Sequence, residues 1–100
     1  MVDMPKPNRN ALTFTGLVVR EDNGYYSLCP ELDVASQGKT IANAKAMLRE
    51  AVSGYLGACI ESNLPFLRPT PPDDDPRRME PDSVVATLRM RVDLAVKVHG

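Results

Sequence analysis

The strongest constraint on the fold is a change in the spacing of apolar residues along the chain. Between residues 41 and 60 these residues recur at steps of three, four or one, which is typical of one broad face of a long helix. Between residues 84 and 98 they alternate with mostly polar residues, which is the period of a half-buried strand. The chain therefore combines a long helix with a β-sheet.

Further strands are expected before the helix. An alternating run is interrupted at Gly16, which indicates a bulge or a close backbone approach. The Asn23-Gly24 pair that follows is a strong hairpin signal. The predicted class is α+β, an antiparallel sheet packed on one long helix in the order β-β-β-α-β, with strands near 11–21, 25–29, 33–36 and 84–97 and a helix of roughly 41–62.

The junction between the third strand and the helix contains two structural signals. Gly38 is free to adopt a positive φ, and Thr40 is suited to cap the helix N-terminus. Pro65 ends the helix because it disfavours the helical conformation of the residue before it. Gly54 and Gly57 lower helix propensity, so we expect a neighbouring element to pack closely against their side of the helix.

One hundred residues with 43% apolar content suit a single domain. Residues 1–10 are polar and contain two prolines, so they are expected to form a flexible tail, and residues 11–100 to form the domain. Within that domain, residues 65–82 contain six of the nine prolines and are expected to form an extended connection. Residues 83–98 then form the C-terminal strand.

Composition argues against several classes of protein. A net charge of −1 does not suggest direct nucleic-acid binding, and Arg89 and Arg91, on one strand face, are either a solvated surface or a phosphate site. The sequence shows neither the ~20-residue apolar run of a membrane span nor a signal peptide, so a cytoplasmic location is expected. Cys29 and Cys59 match no zinc spacing, and we expect buried, reduced thiols.

No catalytic, cofactor-binding or metal-ligating residue is expected. His99 is the single histidine and lies next to the C-terminus. Residues 73–75 are three consecutive aspartates in a proline-rich region, a pattern that is usually solvated. Glu31 and Asp33 form an isolated carboxylate pair, which is weak evidence for acid–base chemistry. These observations argue against an enzyme.

The stretch from residue 25 to residue 69 resembles the HicB-like antitoxin family. Its most specific part is the SQGKT sequence that leads into the helix. Lys39, Asn43 and Asn63 depart from the family pattern, and only one strand follows the proline-rich connection, where many members carry a DNA-binding domain. The residues that match in order are Tyr26, Pro30, Gln37, Gly38, Thr40, Ala44, Glu50, Ala51, Tyr55, Leu56 and Pro65.

The resemblance implies a partial ribonuclease-H-like fold without its catalytic carboxylates. It also implies an antitoxin-like binding module that neutralises a HicA-like, RNA-cleaving toxin by covering it and performs no chemistry itself. The alternative is a stand-alone, self-associating structural or regulatory protein of the same fold that has no toxin partner.

We also expect a homodimer built in part by the C-terminal strand. Fifteen residues of straight strand extend roughly 50 Å, whereas a 100-residue domain is about 33 Å across. An overhanging strand would expose an apolar face and an unpaired backbone edge. The expected interface residues are Leu88, Met90, Val92, Leu94, Val96 and Val98.

Overall fold

The computed structural model describes residues 11–93, and over this range it confirms the predicted α+β fold. An antiparallel sheet packs against one long helix. The expected tail, residues 1–10, and residues 94–100, which include His99, lie outside the described residues. The elements are β1 (Ala11–Glu21), β2 (Gly24–Cys29), β3 (Val34–Gly38), α1 (Ile41–Glu61), α2 (Pro76–Met79) and β4 (Val84–Asp93), with 3₁₀ turns at Pro72–Asp74 and Pro81–Ser83.

The four described strands lie in the order β3-β2-β1-β4, and all neighbours are antiparallel. β1 is central: Leu17 lies opposite Leu28 of β2, and Gly16 lies opposite Leu88 of β4. The irregularity in the β1–β4 pairing falls between Val18 and Val19. β3 and β4 form the two edges of the sheet.

Two glycines are required by close packing. A Cβ at Gly16 would clash with the side chain of Leu88, so the predicted close approach is confirmed there, while the bulge lies two residues further on. Gly38 does not have the positive φ that we expected. A Cβ at position 38 would instead lie 2.5 Å from the backbone nitrogen of Ala44, so glycine is needed because the first turn of α1 crosses β3. The expectation for Gly54 was wrong, since a Cβ there would meet nothing within 4 Å.

The main core lies between α1 and one face of the sheet. Thr40 caps α1 as predicted, with its Oγ1 accepting from the backbone N–H of Asn43 at 3.0 Å. On the sheet side, the buried Ser27 hydroxyl donates to the carbonyl of Ala44 at 3.0 Å and ties β2 to the helix. The core residues are Phe14, Cys29, Leu32, Leu48, Val52, Leu56 and Met90.

The proline-rich segment 65–82 is a docked part of the domain. Pro76 is fully buried, and the backbone N–H of Thr70 donates to the carbonyl of Pro30 at 2.8 Å. The hydroxyl of Tyr26 donates to the carboxylate of Glu80 at 3.2 Å. These contacts join residues far apart in sequence. They hold the segment against the rest of the domain, so it is not the free, extended connection that its composition suggested.

Candidate functional site

Residues 30–33 form a joint that connects β2, β3 and the proline-rich segment. Leu32 is fully buried in the core. Asp33 adopts a left-handed conformation with φ of 53°, and its Oδ1 accepts from the hydroxyl of Thr70 at 2.8 Å. The carbonyl of Glu31 accepts from the backbone N–H of Arg68 at 3.1 Å. The joint therefore fixes the start of the proline-rich segment against the sheet.

The side chain of Glu31 completes the sheet at the point where β2 stops. β1 pairs with β2 only from Leu17 onward, so the backbone N–H of Thr15 has no strand partner on that side. That N–H donates to both carboxylate oxygens of Glu31, at 3.0 and 3.2 Å, and the hydroxyl of Thr15 donates to Oε2 at 2.8 Å. Glu31 and Asp33 do not act as a carboxylate pair: Glu31 accepts from Thr15 and Asp33 accepts from Thr70.

These contacts change the ionisation of two groups. Partial burial works against the charged form of Glu31, but the hydrogen bonds from Thr15 outweigh it and lower its pKa. Burial, followed by the neighbouring Glu31 carboxylate, raises the pKa of Cys29 to about 12. The Cys29 thiol donates to Glu31 Oε1 at 3.6 Å. Because the thiolate is the nucleophile, Cys29 is a protonated donor near neutral pH and not a reactive group.

The residues that carry the family resemblance have separate structural roles and do not converge on one site. Thr40 caps the helix, Ala44 and Leu56 are buried, and the hydroxyl of Tyr55 donates to the carbonyl of Phe66 at 2.8 Å. Ala51 is half-buried, and Gln37, Glu50 and Pro65 are exposed. Pro30 belongs to the joint and accepts from Thr70. Gly38 allows the first turn of α1 to cross β3, and Tyr26 binds Glu80 of the proline-rich segment.

The expected interface residues on the described part of β4 face the helix. Met90 is only 4% exposed and belongs to the chain's own core, and Leu88 and Val92 pack against that core. The free apolar face that we expected is therefore covered here by α1. The domain measures 49 Å along its longest axis, so strand length alone does not require a partner. Leu94, Val96 and Val98 lie outside the described residues, and the dimer interface stays a prediction.

The opposite face of β4 is polar and cationic. Arg89 and Arg91 are exposed and lie across from Thr15 and Thr13 of β1. In the described part of the chain the single ion pair joins Arg77 to Asp75. An open cavity of about 550 Å³ on this part of the sheet is lined by Thr13, Phe14, Thr15, Glu31, Thr87, Leu88 and Arg89.

Large apolar side chains are exposed on the other side of the joint. Leu64, Leu67 and Met79 are more than half exposed, at 58, 65 and 56%, and all three belong to the segment that follows α1. Leu67 borders a cavity of about 320 Å³ together with Pro30, Glu31, Pro69, Thr70, Asp75 and Arg77. Exposed apolar side chains on a fixed segment are available for contact with another protein.

Within residues 11–93 no group of three or more histidine, cysteine, aspartate or glutamate side chains is arranged to hold a metal ion. Of the aspartate triplet, Asp75 has a structural role, since its carboxylate caps α2 by accepting from the backbone N–H of Arg77 at 2.9 Å, whereas residues 73 and 74 are exposed. None of the helices in this range is long and apolar enough to cross a membrane.

Comparison with known proteins adds one sequence match and one structural match. No family model matches the chain. A UPF0150 protein from Synechocystis sp. is 54% identical over 33 residues, which is 32% of this chain and 46% of that protein. The match thus spans less than half the length of that curated relative.

A chain from a solved structure described as the HicA3 and HicB3 toxin-antitoxin complex has a similar fold. The two chains superpose with a TM-score of 0.54 at 21% sequence identity, over 82% of this chain and 96% of that chain. The HicB-like fold expected from residues 25–69 is therefore confirmed.

Proposed function

We propose that this chain is an antitoxin-like binding module that neutralises a HicA-like, RNA-cleaving toxin by covering it. The observation that carries the proposal is the structural match, which extends over nearly the whole length of a chain taken from a toxin-antitoxin complex. The partner belongs to the cytoplasm, where its RNA substrate lies, and so does this protein.

The chemistry of the described residues supports binding and not catalysis. Hydrogen bonds from Thr15 already occupy the carboxylate of Glu31, and Arg77 pairs with that of Asp75. The Cys29 thiol is buried and protonated. A nucleophile or general base needs a free, correctly ionised group beside the substrate, and these three groups do not meet that requirement. The proposed role, binding to a toxin, requires no catalytic residue, cofactor or metal.

We assign toxin contact to the surface of the segment that follows α1, which consists of Leu64 and the proline-rich segment. Leu64, Leu67 and Met79 present exposed apolar side chains, and hydrogen bonds to the joint hold the backbone between them in place. A preformed surface binds without the entropic cost of ordering a loop. Apolar side chains fixed in this way are suited to act as anchors at the centre of an interface.

Co-expression tests this proposal. A HicA-like toxin from the neighbouring reading frame is induced with and without this protein, and growth is followed. Rescue by the wild type, with loss of rescue in Leu67→Ser combined with Met79→Ser, is the expected result. Met47→Ser is the matched control, because Met47 is also exposed (39%) but lies on α1. Failure of the wild type to restore growth would remove the antitoxin role.

The second candidate is a self-associating protein of the same fold with no toxin partner. One observation favours self-association: β4 is an edge strand of ten residues, and in the described part of the chain it pairs only with β1. Long unpaired edges invite pairing with another chain. Self-association as a homodimer is compatible with either candidate, and absence of a toxin gene beside this one would favour the second.

A further inference from the structure

The cavity of about 320 Å³ beside Leu67 has a lining that is partly apolar and partly charged. Pro30 is buried, whereas Leu67 and Pro69 are exposed, so the cavity extends from the solvent to the joint. Thr70 also lines it, but the backbone N–H and the hydroxyl of this residue already donate to Pro30 and Asp33. The neutral part of the lining therefore offers apolar contact to an entering side chain.

Three charged side chains complete the lining, and their charges do not cancel. Glu31 and Asp75 contribute two carboxylates, and Arg77 contributes one guanidinium. The guanidinium binds Asp75 through Nη2 at 2.7 Å and Nε at 3.0 Å. This hydrogen bonding, followed by the charges of Asp75 and Glu31, raises the pKa of Arg77, so the guanidinium is attracted by both carboxylates. One guanidinium against two carboxylates leaves the lining with a net charge of −1.

Both carboxylates are ionised near neutral pH. Partial burial works against the charge of Glu31, but the hydrogen bonds from Thr15 lower its pKa, and the hydrogen bonds from Arg77 lower the pKa of Asp75. Because these hydrogen bonds lie within the domain, an occupant of the cavity would be held by the net charge and by contact with the apolar side chains.

A side chain with an apolar stem and a cationic end matches both parts of this lining. Lysine and arginine have this form, because their methylene stems pack on apolar surface while the charged end stays accessible. An acidic side chain would add a third carboxylate beside Glu31 and Asp75, and a purely apolar one would leave the net charge uncompensated. The cavity lies at the lower end of the ~300–1,000 Å³ range of ligand pockets, so it suits a single side chain.

The proposed partner carries side chains of this kind. A protein that binds RNA neutralises its phosphates with lysine and arginine, so an antitoxin that covers the RNA-binding surface of a toxin meets basic side chains there. Leu67 borders the cavity and belongs to the surface that we assign to toxin contact. The cavity is therefore placed where a basic side chain of the toxin would arrive.

We propose that the cavity beside Leu67 receives a lysine or arginine side chain from the RNA-binding surface of the toxin. A side chain held between the apolar lining and the two carboxylates is withdrawn from the RNA phosphates, so binding at this cavity itself opposes RNA binding. This inference rests on the proposed antitoxin function and specifies which chemistry of the toxin is recognised.

Opposite charges placed at position 67 test the charge of the occupant. Leu67 is 65% exposed, so both replacements leave the fold intact, and both remove the same apolar side chain. Leu67→Lys places a cation at the border of the cavity, whereas Leu67→Glu places an anion there. Calorimetric titration with a purified HicA-like toxin is expected to give a dissociation constant about tenfold higher for Leu67→Lys than for Leu67→Glu. This ratio is expected to shrink as salt is raised from about 50 mM to about 500 mM.

Met47→Lys and Met47→Glu are the controls, because Met47 is exposed on α1 and the same charges act there only at long range. Their constants are expected to differ by less than about twofold. A ratio at position 67 no larger than the ratio at position 47, or weaker binding by Leu67→Glu than by Leu67→Lys, would overturn the cavity assignment while the wild type still binds toxin. A wild type that binds no toxin would overturn the antitoxin function, and this inference with it.

Discussion

Thr15 and Glu31 are joined by three hydrogen bonds, two from the backbone N–H of Thr15 and one from its hydroxyl, at 3.0, 3.2 and 2.8 Å. The carboxylate takes the position that another residue of β2 would occupy if that strand were longer. It therefore stabilises β1 at the point where its pairing with β2 ends. It also fixes the position of the joint, which in turn binds the proline-rich segment.

Replacing Glu31 with alanine is expected to reduce the free energy of unfolding by about 1–3 kcal/mol, because it leaves two donors of Thr15 without their acceptor. Urea denaturation followed by circular dichroism measures the change. Glu50→Ala is the matched control, since Glu50 is an exposed carboxylate on α1 and its loss is expected to cost less than about 0.5 kcal/mol. Equal effects of the two substitutions would show that the contact between Thr15 and Glu31 contributes nothing to stability.

Glu31 also predicts a dependence of stability on pH. Its folded pKa is lower than its ordinary value, so between the two values the unfolded chain binds more protons than the folded chain. The stabilisation is complete above the ordinary pKa and is lost as the pH falls through the folded pKa. Stability curves measured from pH 6 to acid should decline less steeply for Glu31→Gln than for the wild type, and parallel curves would contradict this assignment.

Cys29 is expected to react only when the protein opens. Burial raises the pKa of its thiol to about 12, and the side chain is fully buried, so thiolate is scarce and inaccessible in the native state. At pH 8 a thiol reagent should modify Cys29 slowly in buffer and rapidly in denaturant, with peptide mapping to separate it from Cys59. Fast modification of Cys29 under native conditions would contradict the packing around the joint.

Two glycines predict opposite effects of the same substitution. Gly38→Ala is expected to destabilise the protein, because the new Cβ would lie 2.5 Å from the backbone nitrogen of Ala44. Gly54→Ala is expected to stabilise it by about 0.5–1 kcal/mol, because position 54 is exposed within α1 and has no neighbour within 4 Å. Thermal melting of both variants checks the pair, and effects of the same sign would contradict the path of α1 over β3.

Much of this fold can be predicted from local sequence patterns. The period of apolar residues located α1 and β4, the Asn23-Gly24 pair located the hairpin, and Thr40 located the start of the helix within one residue. These features depend on residues close together in sequence, so propensity and periodicity are sufficient to predict them.

The candidate site could not be predicted from the sequence because its contacts join residues that are far apart along the chain. Glu31 accepts from a residue sixteen positions away, and Thr70 bonds to an aspartate thirty-seven positions away. The proline content of residues 65–82 predicted an extended connection, because prolines disfavour long helices and strands, but it does not reveal the surface on which the segment docks. The burial of Met90 under α1 could not be predicted either. The alternation of apolar and polar residues in β4 identifies an apolar face but does not show which element packs on it.

Direct titration of the purified protein into a purified HicA-like toxin tests the central claim. Isothermal calorimetry is expected to show a saturable complex with a dissociation constant below a micromolar, and the same complex should no longer cleave RNA. The double variant Leu67→Ser and Met79→Ser should bind at least tenfold more weakly, while Met47→Ser should match the wild type. A wild-type protein that gives no binding heat and leaves RNA cleavage unchanged at tens of micromolar would contradict the antitoxin role.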